Sequence, residues 1–73
     1  MKITVDVPDD TARNIARLFS IANDPTNVKP MGELNIQSLV ETLLEDCARV
    51  VCRPGCWEAN NMAQVLTSHG YEV

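Results

Sequence analysis

The chain has 73 residues, 45% of them hydrophobic, and its aromatic side chains are limited to Phe19, Trp57 and Tyr71. This length predicts a single domain with an aliphatic core, and the apolar content excludes a disordered protein. Six basic and ten acidic residues give a net charge of −4, the reverse of the balance in most nucleic-acid-binding proteins, whose affinity depends on Lys and Arg.

Residues 2–7 alternate polar and apolar side chains with a period of two, in the order Lys2-Ile3-Thr4-Val5-Asp6-Val7. This alternation predicts a β-strand with one buried face. No second segment of the chain has a comparable pattern, and a lone strand leaves its backbone N–H and C=O groups unpaired on both edges. We therefore expect a homodimer in which residues 2–7 pair with the same segment of a second copy.

The next segment predicts a helix over residues 9–22, followed by a loop over residues 23–34. Asp9 and Asp10 suit a helix N-terminus, and apolar residues follow at helical spacing. The motifs Asn23-Asp24-Pro25 and Lys29-Pro30-Met31-Gly32 interrupt the helix. This loop is long for so small a domain, so it is either a functional element or a solvated connector.

Two further helices are predicted, over residues 35–51 and 57–69. The first has Asn35 as its N-cap and the most regular apolar stripe of the chain, and it ends before Arg53-Pro54-Gly55. On its outer face Glu45 precedes Arg49 by four residues, which predicts an exposed ion pair. The last helix is expected to stop at Gly70, because glycine is the preferred residue just after a helix end.

The sequence resembles the ribbon-helix-helix family of dimeric DNA-binding repressors. The resemblance covers residues 1–51 and rests on the segment Lys2-Ile3-Thr4-Val5-Asp6-Val7-Pro8-Asp9-Asp10, the helical stripe through Leu18, and Leu39-Val40-Glu41-Thr42-Leu43-Leu44. It implies a mainly α fold with one N-terminal strand, in which two chains form an intertwined homodimer through residues 2–7 and the second helix. The third helix is a C-terminal extension of that fold.

The resemblance also implies a function, because the paired strands of that family enter the DNA major groove. This chain would then be a small dimeric transcriptional regulator, with outward-facing ribbon side chains contacting bases. Basic residues and the N-terminus of the second helix would contact the phosphate backbone. The residues expected to bind DNA are Lys2, Thr4, Asp6, Arg13, Arg17, Lys29 and Asn35.

The acidic composition favours a second interpretation from a different class. In it, the chain is an acidic protein-binding module from a phage or plasmid, which inhibits or sequesters a host protein without binding DNA. Its contact surface would be the acidic face of the second helix or the region around the tryptophan. The residues expected to bind protein are Glu41, Glu45, Asp46, Arg53 and Trp57.

The cysteines and the single histidine offer a weaker alternative, a metal site formed by Cys47, Cys52, Cys56 and His69. Their spacing departs from that of structural zinc sites, and Cys47 fits the apolar stripe of the second helix as a small core residue. We therefore expect no metal, no cofactor and no enzyme activity. An odd number of cysteines is typical of reducing compartments, and no apolar run suits a signal peptide or a membrane span, so a cytoplasmic protein is predicted.

Overall fold

The computed structural model describes all of residues 1–73 and contains three α-helices and no strand. The helices are α1 (Asp9–Ala22), α2 (Ile36–Cys52) and α3 (Trp57–Ser68). The chain divides into two compact units, Met1–Asn35 and Ile36–Val73, of which the second is a hairpin formed by α2 and α3. None of the helices combines the length and the apolar composition that a membrane span requires.

The predicted N-terminal strand is absent, so the expected fold with one strand, of ribbon-helix-helix type, is wrong for this chain. Residues 1–8 belong to no regular element, and the apolar side chains of Ile3, Val5 and Val7 are exposed. The physical reason is that alternation indicates only which side chains prefer a common face. A strand exists only where a neighbouring segment accepts and donates its backbone hydrogen bonds, and nothing in this chain does so.

Local signals account for the two ends of α1. Pro8 precedes the helix, and its carbonyl accepts a hydrogen bond of 2.9 Å from the Ala12 N–H. No side chain caps this N-terminus, but Asp9 and Asp10 lie in the first turn, where negative charge is favourable. Asp10 also forms an exposed ion pair with Arg13. The helix ends at Ala22 because Asn23-Asp24-Pro25 cannot continue it.

The loop between α1 and α2 is held together by hydrogen bonds from side chains to the backbone. Asn23 Oδ1 accepts from the Leu34 N–H at 2.7 Å, and Asn23 Nδ2 donates to the Leu34 carbonyl at 2.8 Å. Inside this closure, Lys29 Nζ donates to the carbonyls of Asp24 and Asn27 at 2.9 and 3.3 Å. Both ends and the middle of the loop are therefore ordered by its own side chains, as in a compact Ω-loop.

Asp24 and Thr26 form a tight polar turn within this loop. Asp24 Oδ1 accepts from the Thr26 hydroxyl at 2.6 Å and from the Thr26 N–H at 2.8 Å. These two bonds, with the hydroxyl bond the larger cause, lower the pKa of the Asp24 carboxyl below its ordinary value. The turn therefore favours the ionised form of Asp24.

The ends of α3 follow known capping patterns. Cys56 is the N-cap, and its Sγ accepts from the Ala59 N–H at 3.4 Å. At the other end, Gly70 has a φ of 91° and donates to Thr67, while the Tyr71 N–H donates to the Leu66 carbonyl at 3.0 Å. This pair of bonds is a Schellman motif, so the predicted glycine stop is confirmed.

Candidate protein-interaction surface

Arg49 joins the two helices of the hairpin. Its Nη1 lies 3.0 Å from Asp46 Oδ1 on α2 and 2.6 Å from Glu58 Oε2 on α3. The side chain of Arg49 is 31% exposed and those of the two acids are each 18% exposed, so the charges are partly shielded from water. One cation thus bridges two carboxylates and holds the start of α3 against the end of α2.

The predicted ion pair between Glu45 and Arg49 does not form, because Arg49 is occupied by Asp46 and Glu58. Asp46 is consequently withdrawn from the acidic face on which it was expected. Glu41 remains on that face and accepts a hydrogen bond of 2.9 Å from Gln37. Glu41 and Glu45 are the exposed acids of α2.

The apolar face of α2 is only partly covered by α3. Leu39, Cys47 and Val50 are half-buried, and Ala59 on α3, at 3% exposure, is the one buried residue of the chain. The other large apolar side chains of α2 are between 37% and 86% exposed: Ile36, Val40, Leu43, Leu44 and Val51. We call these five residues the α2 stripe.

A shallow depression of about 260 Å³ lies on the hairpin, lined by residues of α2, α3 and the turn between them. Small residues form much of its lining, which consists of Val50, Pro54, Gly55, Ala59, Asn60, Ala63 and Val73. Its volume is below the roughly 300–1,000 Å³ of sites that bind drug-sized molecules. The depression is therefore large enough for one side chain of a binding partner.

Trp57 begins α3 and lies on the face of that helix turned away from α2. Helical spacing puts Trp57, Asn61 and Gln64 on one side, and all three are exposed, with Trp57 at 70%. Tryptophan is usually one of the most buried residues and is strongly enriched in the energetic centres of interfaces. Trp57 is consequently not a packing residue within the hairpin, and this surface combines a large aromatic side chain with two amide groups.

The residues expected to bind DNA do not form a common site. Lys2, Thr4 and Asp6 lie in the irregular N-terminal segment, and their side chains make no hydrogen bond or ion pair. Arg13 is paired with Asp10, and the Lys29 ammonium is turned inward to the loop carbonyls.

The other two residues expected to bind DNA are Arg17 and Asn35, and only one of them interacts with the rest of the chain. Arg17 is exposed and has no ion pair, so its charge is free to interact with a ligand. Asn35 directly precedes α2 and takes part in a polar interaction within the chain. The seven residues therefore show no shared contact that would define a nucleic-acid surface.

The cysteines and the histidine have separate roles. All three cysteines are free thiols, and no three His, Cys, Asp or Glu side chains come close enough together to hold a metal ion. Cys56 caps α3, and His69 Nδ1 donates to the Val65 carbonyl at 2.7 Å. Both groups thus satisfy backbone atoms at the two ends of the same helix.

No protein-family model, no curated protein and no solved structure matches this chain. The resemblance of residues 1–51 to the ribbon-helix-helix family is therefore neither supported nor opposed by comparison.

Proposed function

We propose that this chain is a small acidic protein-binding module, which docks on a basic partner protein with Trp57 as its anchor. The observation that carries the proposal is the 70% exposure of the only tryptophan, on a face of α3 that α2 does not cover. Transferring such a side chain from water into a partner's pocket is strongly favourable, and it accounts for the enrichment of tryptophan in binding hot spots.

The charge of the hairpin supports the choice of a basic partner. Ile36–Val73 contains five carboxylates and two arginines, and Arg49 is already paired within the unit. A surface with this excess of negative charge attracts a basic protein and repels nucleic acid and anionic membranes. Asn61 and Gln64, next to Trp57, supply hydrogen-bond donors and acceptors around the anchor.

The test compares the wild-type chain with Trp57→Ala. The control is Tyr71→Ala, which removes another exposed aromatic side chain of the same unit. Each biotinylated chain is used to capture proteins from a lysate, and the captured proteins are quantified by mass spectrometry at low and high salt. We expect at least one basic protein to be retained by wild type and Tyr71→Ala, to be lost with Trp57→Ala, and to bind less at high salt. A set of captured proteins that is the same for all three chains would contradict the proposal.

Because the chain has one tryptophan, its fluorescence reports directly on the proposed anchor. The isolated captured protein is titrated into the wild-type chain, and we expect the emission of Trp57 to shift to shorter wavelength as water is excluded from the indole. The Tyr71→Ala chain should show the same shift. An emission maximum that does not move while binding is detected by another method would place the anchor elsewhere.

DNA binding, the first function expected from the sequence, is the second candidate. The observation in its favour is that Lys2, Arg17 and Arg53 have no carboxylate within ion-pair distance, so their charges are available to phosphates. The measurement is a gel shift with mixed-sequence duplexes at low salt. Binding that weakens steeply with salt and that is reduced by Arg17→Ala would support this candidate. A chain that shifts no duplex at low salt would eliminate it.

A further inference from the structure

Two cysteines lie on either side of the turn that joins α2 to α3. Cys52 is the last residue of α2 and is exposed, whereas Cys56 is the half-buried N-cap of α3. Both are free thiols. The turn therefore carries two thiols close to each other in the chain, and one of them is open to reagents in solution.

The backbone of this turn brings its two ends together. The Cys56 N–H donates to the Arg53 carbonyl at 3.3 Å, and Gly55, which follows Pro54, has a φ of 95°. A proline followed by a residue with positive φ is the pattern of a type II β-turn, whose first and last Cα atoms lie less than about 7 Å apart. Cys52 directly precedes the first residue of this turn. A disulfide requires Cα atoms about 4.4–6.8 Å apart, a separation that the reversal of the chain allows.

The third cysteine is outside this arrangement. Cys47 lies five residues before Cys52 in the same helix, which separates the two along the helix axis by about 7.5 Å. This is more than the roughly 7 Å beyond which two cysteines cannot be bridged without moving the backbone. The geometry thus selects Cys52 and Cys56 from the three thiols of the chain.

A free cation lies next to these thiols. The unit Ile36–Val73 contains two arginines, and Arg49 is already paired with two carboxylates. Arg53 directly follows Cys52, is exposed and forms no ion pair. A positive charge beside an exposed thiol attracts a negatively charged reagent to it. The site is therefore suited to an anionic reaction partner.

From these observations we propose that Cys52 and Cys56 form a reversible disulfide site, which an anionic low-molecular-weight disulfide such as oxidised glutathione oxidises. In the first step, the Cys52 sulfur attacks one sulfur of the reagent, breaks its S–S bond and releases one thiol. In the second step, the Cys56 sulfur attacks the Cys52 sulfur of this mixed disulfide and releases the second thiol. Two electrons and two protons pass from the protein to the reagent, which leaves as two reduced thiols.

Oxidation also changes the start of α3. In the reduced chain Cys56 Sγ accepts a hydrogen bond from the Ala59 N–H, and the disulfide directs the same sulfur to Cys52 instead. The closed loop has only five residues, so it stabilises the chain little and is easily reduced again. This thiol chemistry does not rest on the proposed binding of a basic partner, and the two proposals can fail separately.

The experiment treats the reduced full chain, at low concentration, with oxidised glutathione. The remaining thiols are then alkylated, and the products are digested and identified by mass spectrometry. Trypsin cleaves after Arg49 and leaves the bond before Pro54 intact, so one peptide, residues 50–73, contains both thiols of the site. We expect this peptide to be lighter by two hydrogens, and dithiothreitol should restore its original mass.

Two single substitutions separate the roles of the cysteines. Cys47→Ser is the matched control, and it should form the same disulfide at the same rate as the wild type. Cys56→Ser keeps a good N-cap residue but lacks the second sulfur, so its reaction should stop at the mixed disulfide of Cys52 with glutathione. A wild-type chain that forms no internal disulfide, stops at mixed disulfides, joins two chains or uses Cys47 would overturn the proposal.

The role of the cation is tested with two reagents of different charge. Arg53→Ala should lower the rate of reaction with oxidised glutathione about two- to fivefold at low salt. It should leave the rate with the neutral reagent bis(2-hydroxyethyl) disulfide unchanged, and added salt should remove the difference between Arg53→Ala and wild type. An equal change of rate with both reagents, or no change with either, would overturn the preference for an anionic partner.

Discussion

Arg49 Nη1 on α2 lies 2.6 Å from Glu58 Oε2 on α3, and this ion pair is the one that connects the two helices of the hairpin. The same nitrogen lies 3.0 Å from Asp46. This shared arginine holds two partly shielded carboxylates close together. Removing it leaves two negatively charged acids beside each other, which destabilises the packing of the two helices. The hairpin therefore depends on Arg49 more than on any other charged residue.

We expect Arg49→Met to lower the free energy of unfolding by about 1–2 kcal/mol, the value of charged hydrogen bonds reduced for partial exposure to water. Methionine keeps much of the aliphatic length, so the loss reports mainly on charge. Urea denaturation followed by circular dichroism measures the change. Glu45→Gln is the control, and it should change stability by less than about 0.5 kcal/mol because Glu45 makes no ion pair. Equal effects of the two substitutions would show that the ion pairs of Arg49 contribute no more to stability than an unpaired surface charge.

Local sequence patterns predicted the helices of this chain, but they indicated Glu45 rather than Glu58 as an acidic partner of Arg49. The helices and their ends were predictable because the residues that start or stop a helix affect the backbone only within a few positions. These residues are Pro8, Asn23-Asp24-Pro25, Arg53-Pro54-Gly55 and Gly70. Spacing correctly marked Arg49 as a residue with an acidic partner, but it suggested the acid four residues earlier. The actual partner on α3 depends on how two helices pack, which no local pattern encodes.

Residues 2–7 illustrate the same limit for strands. Their alternation was clear, yet the chain forms no strand there because the pairing segment is not determined by the alternating segment itself. The sequence also marked Trp57 as a candidate protein-binding residue, but its spacing did not distinguish a packing residue from an exposed one. Only its position opposite Ala59 on α3 resolves that question.

The two hydrogen bonds between Asn23 and Leu34 predict a strong effect of one small substitution. Asn23→Ala removes both bonds and leaves the Leu34 N–H and carbonyl without this partner. We expect a loss of about 1–2 kcal/mol in the stability of the loop closure. Hydrogen exchange measured by NMR should show a much faster Leu34 amide. Asn14→Ala, which removes an exposed amide from α1, should leave the Leu34 amide unchanged.

The turn at Asp24 predicts a local dependence on pH. Because its folded pKa is lowered, ionised Asp24 stabilises the turn at pH values above the ordinary aspartate pKa of about 3.9. That contribution is lost as the pH falls through the folded pKa. We expect Thr26→Val, which removes the hydroxyl bond, to raise the pKa of Asp24 toward the ordinary value. A carboxyl titration by NMR measures it, and an unchanged pKa would mean that the hydroxyl is not the main cause.

Gly70 provides a test of the end of α3 that involves backbone conformation alone. Its φ of 91° lies in the left-handed region, and a Cβ added there meets no atom within 4 Å. Gly70→Ala should therefore cost about 1–2 kcal/mol through conformational strain, without any steric clash. Gly70→Asn should cost less, because asparagine tolerates this region better than alanine. Thermal unfolding of the three chains should give the order glycine, asparagine, alanine, and an alanine variant as stable as the asparagine variant would contradict this explanation.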